Sequence, residues 1–196
     1  MKVLVYVETK EGTPVQGSLE LLTGAKELGE TYAVAVEDKD AAEKAAALGA
    51  KVIVLKTGDA SEDAQTAALE SYIKEVQPEL VLFSGTQLGK DLAPRLAQRF
   101  GAGCVTDVTV IEQGENGLEF VRPAYGGTVL ERLAVSGPVQ FATVRSGSFT
   151  KPEAAEGSVE EKEAPVDADA LKAKVVVIAT LLMFAGALVK WYAVSN

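Results

Sequence analysis

Short apolar runs alternate with helical stretches through the first hundred residues, and that rhythm restricts the fold more than any other property of the chain. Residues 2–7 carry the β-branched run VLVYV, and residues 18–28 place Leu21, Leu22, Ala25 and Leu28 on one helical face. A second strand is expected over 32–36. Asp40 then caps a helix, with Glu43 three residues on and Gly49 just past the end. A third strand covers 52–55. Ser61 caps the next helix, whose Leu69, Tyr72, Ile73 and Val76 recur at i, i+3, i+4 and i+7 before Pro78 stops it. A fourth strand covers 80–83. Each strand is an almost unbroken apolar run, so both faces of the sheet must be covered. Right-handed crossovers then give a parallel sheet between two helical layers.

After Phe100 the texture changes. Strand-like stretches over 105–111, 118–122, 129–135 and 140–144 are separated by glycine turns such as Gly126-Gly127, which predicts an antiparallel segment extending or flanking the sheet. The expected fold is a three-layer α/β domain over residues 1–150, with a mostly parallel sheet and an antiparallel extension. Residues 151–170 are rich in Glu, Ala and Pro and read as an acidic, solvated connector. From Val175 to Val189 no residue is charged, and lysines stand on both sides. The segment 171–196 therefore has two readings: an apolar strand and helix packed on the domain or a partner, or a membrane anchor slightly short of the hydrocarbon thickness.

Composition removes several classes of chemistry. The chain has no histidine, so the commonest general base near neutral pH, the Ser-His-Asp and Cys-His arrangements and most zinc and haem sites are excluded. Cys104 is the single cysteine, which rules out a disulfide within the chain and fits a reducing cytoplasm. Its apolar neighbours suggest a buried, inert thiol. A net charge of -9, with basic residues spread thinly, argues against a nucleic-acid footprint. The start, MKVLVYVE, is too short and too soon charged for a signal peptide.

The stretch LVLFSGTQLGKDLAPRLAQRFGAGCVTDVT joins an apolar strand, a glycine turn and a helix start. Unpaired amides and the dipole at a helix amino end favour an anion, and Gly85 and Gly89 allow close approach to the backbone. Ser84, Gly85, Thr86, Gly89, Lys90 and Asp91 are thus the candidate site. They read either as turn and capping residues or as a vestigial nucleotide pocket. The spacing does not match a Walker A loop. Asp91 is the expected cap, which puts Pro94 in the first turn and Arg95 and Arg99 on one face.

Together with SLELLTGAKEL, AAEKAAALGAKVIVL, RPAYGG and ATVRSGSF, this stretch resembles the alpha subunit of electron transfer flavoprotein, in order, over roughly residues 1–150. The resemblance implies a nucleotide-alpha-hydrolase-like (Rossmann-like) amino-terminal domain that serves as a scaffold contacting a beta subunit. The family's heterodimer carries electrons on FAD from flavin-linked dehydrogenases to a quinone reductase or another acceptor. By the same resemblance FAD sits chiefly on a second alpha domain, whose Gly-Gly-Arg-Gly type motif is not matched after residue 171, so no cofactor is expected on this chain alone. The related beta-subunit pocket holds AMP or a second flavin near the loop that matches Ser84 to Asp91, whereas alpha subunits leave it empty. Arg122-Pro123, Tyr125-Gly126-Gly127 and Arg145 are expected to end strands, with Arg122 and Arg145 as candidate partner-facing residues.

Two readings of function follow. The first is a docking domain without catalytic residues of its own. The alternative is a nucleotide-binding or sensory α/β module tethered to a membrane through Val175 to Val189. A hydrolase or lyase built on Lys90, Asp91 and Asp107 lacks a nucleophile and base in evident contact.

Overall fold

A computed structural model describes residues 1–58, 61–115, 117–164 and 166. The elements in order are β1 (Lys2–Tyr6), β2 (Thr9–Lys10), β3 (Thr13–Pro14), α1 (Gln16–Leu28), β4 (Glu30–Val36), α2 (Lys39–Ala46), β5 (Lys51–Lys56) and α3 (Glu62–Val76). There follow β6 (Leu80–Ser84), α4 (Gln87–Arg99), β7 (Cys104–Val108), β8 (Val110–Gly114), β9 (Gly117–Ala124), β10 (Val129–Ala134), β11 (Gln140–Val144) and β12 (Ser158–Glu163). Seven strands form one sheet in the order β12-β5-β4-β1-β6-β11-β7, and every pairing in it is parallel. Strands β8, β9 and β10 make a separate antiparallel sheet.

Alternation along the buried strands sends side chains to two cores. Val3, Val5 and Val7 join Leu21, Leu22 and Ala25 of α1, Ala42, Ala45 and Ala46 of α2, and Ile111, Leu118 and Phe120 of the antiparallel sheet. Leu4 and Tyr6 instead meet Leu69 and Ile73 of α3 and Leu92 and Leu96 of α4. The expected three-layer, Rossmann-like α/β architecture is therefore present. Helices α1 and α2 lie on one face and α3 and α4 on the other, so the connections change sides between β1 and β6. Ligand crevices in open α/β sheets form beyond the carboxyl ends of the strands at such a point.

Several local expectations need correction. Asp38, not Asp40, caps α2 by accepting the Ala41 N–H at 2.9 Å, while Asp40 lies in the first turn. Ser61 caps α3 as expected, and Gln77 in the left-handed region ends that helix before Pro78. The single strand expected over 105–111 is two. Asp107 adopts φ 62°, the register slips opposite Ala142 and Val144, and the chain passes from β7 in the parallel sheet to β8 in the antiparallel one. The last expected strand, β11, enters the parallel sheet between β6 and β7.

Within the segment read as a connector, residues 158–163 form β12, paired in parallel with all of β5 from Ser158 opposite Lys51 to Glu163 opposite Lys56. Most of its side chains are exposed, as a solvated segment requires, but the backbone completes the sheet edge. Charges suit that position, because they discourage pairing with another chain. Lys39 meets Glu161 at 2.8 Å, and Lys162 pairs with Glu75. The segment 171–196, with its packed and membrane readings, lies outside the described residues. No helix among the described residues is long and apolar enough to cross a membrane.

Candidate functional site

The candidate loop sits at the carboxyl end of β6, beside that of β1, where the crossovers change sides. Ser84 is the last residue of β6 and is fully buried. Gly85 donates its N–H to the Val144 carbonyl at 2.7 Å, which ties the loop to β11. Helix α4 begins at Gln87, two residues earlier than the start near Gly89 to Asp91 that its sequence suggests. Its cap is Thr86, whose Oγ1 accepts the Gly89 N–H at 3.0 Å. Asp91 is not a cap. It lies in the second turn and pairs with Arg95 at 2.9 Å, one helical turn on.

The earlier start also moves Pro94 out of the first turn and into the helix interior, where its missing N–H leaves one intrahelical bond unmade. The helix tolerates this because Leu92, Ala93, Leu96 and Ala97 are all buried against the sheet. Arg95 and Arg99 do share a face, and both reach α3, Arg95 to Asp63 at 2.8 Å and Arg99 to Glu70 at 2.6 Å. Gly89 stands inside the first turn because a Cβ there would lie 2.0 Å from the Ser84 carbonyl oxygen. Lys90 is exposed and makes no ion pair of its own among the described residues, although its charge helps hold the Asp107 carboxyl acidic.

Three residues absent from the sequence-based site complete it. Glu8 follows β1 and is only 8% exposed, and its carboxylate accepts a hydrogen bond from the Thr86 hydroxyl. Its backbone N–H donates to Ser18 Oγ at 3.1 Å. Burial pushes the Glu8 carboxyl above its ordinary range, against the opposing effect of the Thr86 hydrogen bond. Glu20, also buried, accepts the Gly147 N–H at 2.6 Å. Gly17 lets α1 press against the loop, for a Cβ there would stand 2.3 Å from Ser84 Oγ and 2.8 Å from Ser146 Oγ. The switch point thus carries hydrogen-bonded polar side chains of the chain's own, Glu8, Ser18 and Thr86 among them. A charged residue closing an apolar strand at that point was the available signal.

A second polar region lies nearby on the same rim. Arg145 holds Asp107 in a bidentate pair that keeps the aspartate carboxyl below its usual range. Arg122 meets Glu131 at 3.1 Å and also donates to Thr106 Oγ1 at 3.3 Å. Asp107, Arg122, Glu131, Arg145 and the Tyr125-Gly126-Gly127 turn line an open cavity of about 550 Å³. Tyr125 projects into solvent at 79% exposure, next to Val129 and Leu130 at the start of β10. Each of the two arginines thus has an acidic partner within the domain. Cys104 is half-buried rather than fully buried as expected, and burial pushes its thiol up to about 11. Among the described residues no cluster of three or more His, Cys, Asp or Glu is placed to hold a metal ion.

The family model described as "Electron transfer flavoprotein domain" matches residues 3–169. The chain belongs to the electron transfer flavoprotein domain family. Within the family it is of the alpha-subunit, amino-terminal type. It is 31% identical to the electron transfer flavoprotein subunit alpha of Syntrophomonas wolfei over 150 residues, covering 73% of this chain and 47% of that protein. It is 32% identical to protein FixB of Clostridium saccharobutylicum over 194 residues, 90% of this chain and 57% of that protein. A shorter match, 40% over 87 residues, relates it to the subunit LctC of a lactate dehydrogenase (NAD(+),ferredoxin) from Acetobacterium woodii, covering 43% of this chain and 21% of that protein. The chain spans about half the length of the electron transfer flavoprotein alpha subunits it matches. The family match runs past residue 150 and takes in β12, in keeping with the place of that strand in the central sheet.

Proposed function

We propose that this is the scaffold and docking domain of an electron transfer flavoprotein alpha subunit, one part of an FAD-dependent carrier between dehydrogenases and an acceptor. Its partner in this reading is a beta-type electron transfer flavoprotein subunit, and it supplies no catalytic residue of its own. The observation that carries the reading is the exposure of three large apolar side chains about one turn: Tyr125, Val129 on the face of β10 that carries the Arg122–Glu131 pair, and Leu130 on the opposite face. Large apolar side chains left exposed around one turn are what a protein partner covers. Leu130 is 68% exposed although it sits on a regular, well-paired strand, so local folding does not require it.

FAD does not fit the switch point of this domain as it stands. Glu8 and the close contact of Gly17 with Ser84 occupy the space where a dinucleotide's phosphates would approach α4. The flavin of the carrier is therefore assigned to other parts of the assembly. When bound there, it supplies the electron storage, and this domain contributes a rigid docking face.

The test is co-purification with a beta-type subunit, followed by titration calorimetry of the two purified chains. Binding that is weakened at least about tenfold by Leu130→Asp, as for a buried interface anchor, supports the reading. Equal binding by wild type and variant overturns the assigned face. Stoichiometric flavin absorbance on the isolated chain overturns the scaffold role.

A further inference from the structure

We propose that Glu8 is a built-in anion, occupying the cradle at the amino end of α4 and thereby closing the switch-point crevice to nucleotides and other phosphate ligands. The inference is independent of the docking reading, since it concerns different residues and requires no partner.

Four observations converge on it. The crevice lies between β1 and β6, where the crossovers change sides and where parallel sheets usually receive a ligand. The helix that opens there is thirteen residues long; Thr86 Oγ1 takes the Gly89 N–H, and the earlier first-turn amides have no partner within the helix, a setting that favours negative charge. Ser84 Oγ is buried against Gly17 of α1 and has no hydrogen-bond partner among the described residues, so a polar group at the strand end beside the crevice is left unserved. The anion that such a cradle calls for is supplied from within, because the buried Glu8 carboxylate accepts a hydrogen bond from the hydroxyl of the cap residue Thr86.

The energetics fit a role in selectivity rather than in stability. Burial outweighs the Thr86 hydrogen bond and makes the charged form of Glu8 harder to hold than it would be in water. A neutral residue of the same shape would suit the fold as well. What the charge adds is repulsion of a second anion, the kind of unfavourable contact by which a site rejects a ligand.

The cradle's other parts are present. Gly89 keeps the backbone within reach of the Ser84 carbonyl, and Thr86 orients the first turn, so that one carboxylate separates this crevice from a phosphate-binding one.

The probe is inorganic phosphate, then AMP, added at constant ionic strength to the isotopically labelled full chain. The Gly85, Thr86 and Gly89 amide resonances are followed. In wild type they remain unmoved. In Glu8→Gln, which keeps the bulk and the acceptor for Thr86 but lifts the charge, the response is at least about threefold larger, as loss of a nearby unit charge predicts. Glu8→Ala, which also vacates the space, responds most strongly, and Thr86→Val added to it removes the gain. Wild-type amides that respond as strongly as those of Glu8→Gln overturn the proposal, and that comparison holds whether or not Glu8→Ala folds. A folded Glu8→Ala that is blind to both phosphate and AMP overturns it equally.

Discussion

Arg145 grips Asp107 through two parallel hydrogen bonds, Nε to Oδ1 at 3.0 Å and Nη2 to Oδ2 at 2.6 Å, across the carboxyl ends of the neighbouring strands β11 and β7. The pair stands where Asp107 takes a positive φ and the chain turns out of the parallel sheet. It therefore anchors the junction between the two sheets.

A pH dependence follows. Arg145 lowers the folded-state carboxyl of Asp107 below its unfolded value, so the pair's contribution is present above the unfolded range near 4 and is lost as the pH falls through the folded value. Arg145→Ala lowers the melting temperature at pH 6, and the gap from wild type narrows as the pH falls below about 4. Both partners are more than a third exposed, which keeps the effect small. Melting curves recorded across that pH range check it.

Gly89→Ala is destabilising, although alanine is the better helix former by about 1 kcal/mol. The added Cβ would meet the Ser84 carbonyl at 2.0 Å, and that oxygen is fixed backbone. A net loss of about 1–3 kcal/mol is expected, in the range of overpacked sites. Urea unfolding measures it.

Thr86→Val removes the cap of α4 and the donor to Glu8 together. A cost of about 1–2 kcal/mol follows from the cap alone, and Thr86→Ser restores most of it. Asp91→Ala, by contrast, costs about 0.5 kcal/mol or less, because it breaks one surface pair within a helix. The ranking of these two variants in denaturant separates the observed cap from the expected one.

Phe120 of β9 is fully buried in the core that joins the antiparallel sheet to the parallel one. Phe120→Ala is expected to cost about 3–5 kcal/mol. The same substitution at Tyr125, which projects into solvent, leaves stability within about 0.5 kcal/mol.

The Cys104 thiol, held up to about 11 by burial, reacts slowly with a thiol reagent at pH 8 in the folded protein and rapidly after unfolding. Its folded-state value lies above that of the unfolded chain. The corresponding stability is thus whole below about pH 8.5 and declines as the pH rises toward the folded value. Reaction rates with and without denaturant show the difference.

The strands and helices of the first hundred residues were legible because their apolar runs and helical spacing repeat over whole elements. Misreadings arose where a neighbour far along the chain decides. Asp38 rather than Asp40 caps α2 because Glu37, at φ 62°, turns the chain while its carboxylate accepts the Gly58 N–H at 2.7 Å. Gly89 looked like a residue ahead of the helix. It is needed inside the first turn by a carbonyl that only the folded loop brings near. Strand β12 was hidden because the charges that protect a sheet edge have the composition of a linker. The loop from Ser84 to Asp91 was found, but its acidic occupant was not. A glutamate at the end of an apolar strand looks like a chain reaching the surface, and nothing local shows that Glu8 is covered.

Strand β11 lies between β6 and β7, although it follows both in sequence. During synthesis β7 thus has no place in the sheet until residues 140–144 have emerged, and the open flank of β6 must wait some sixty residues for its neighbour. Closure of so long a loop is slow, and an unpaired flank invites pairing with other chains. A nascent chain halted just before Gln140 therefore carries its greatest risk of aggregation with most of its domain already made.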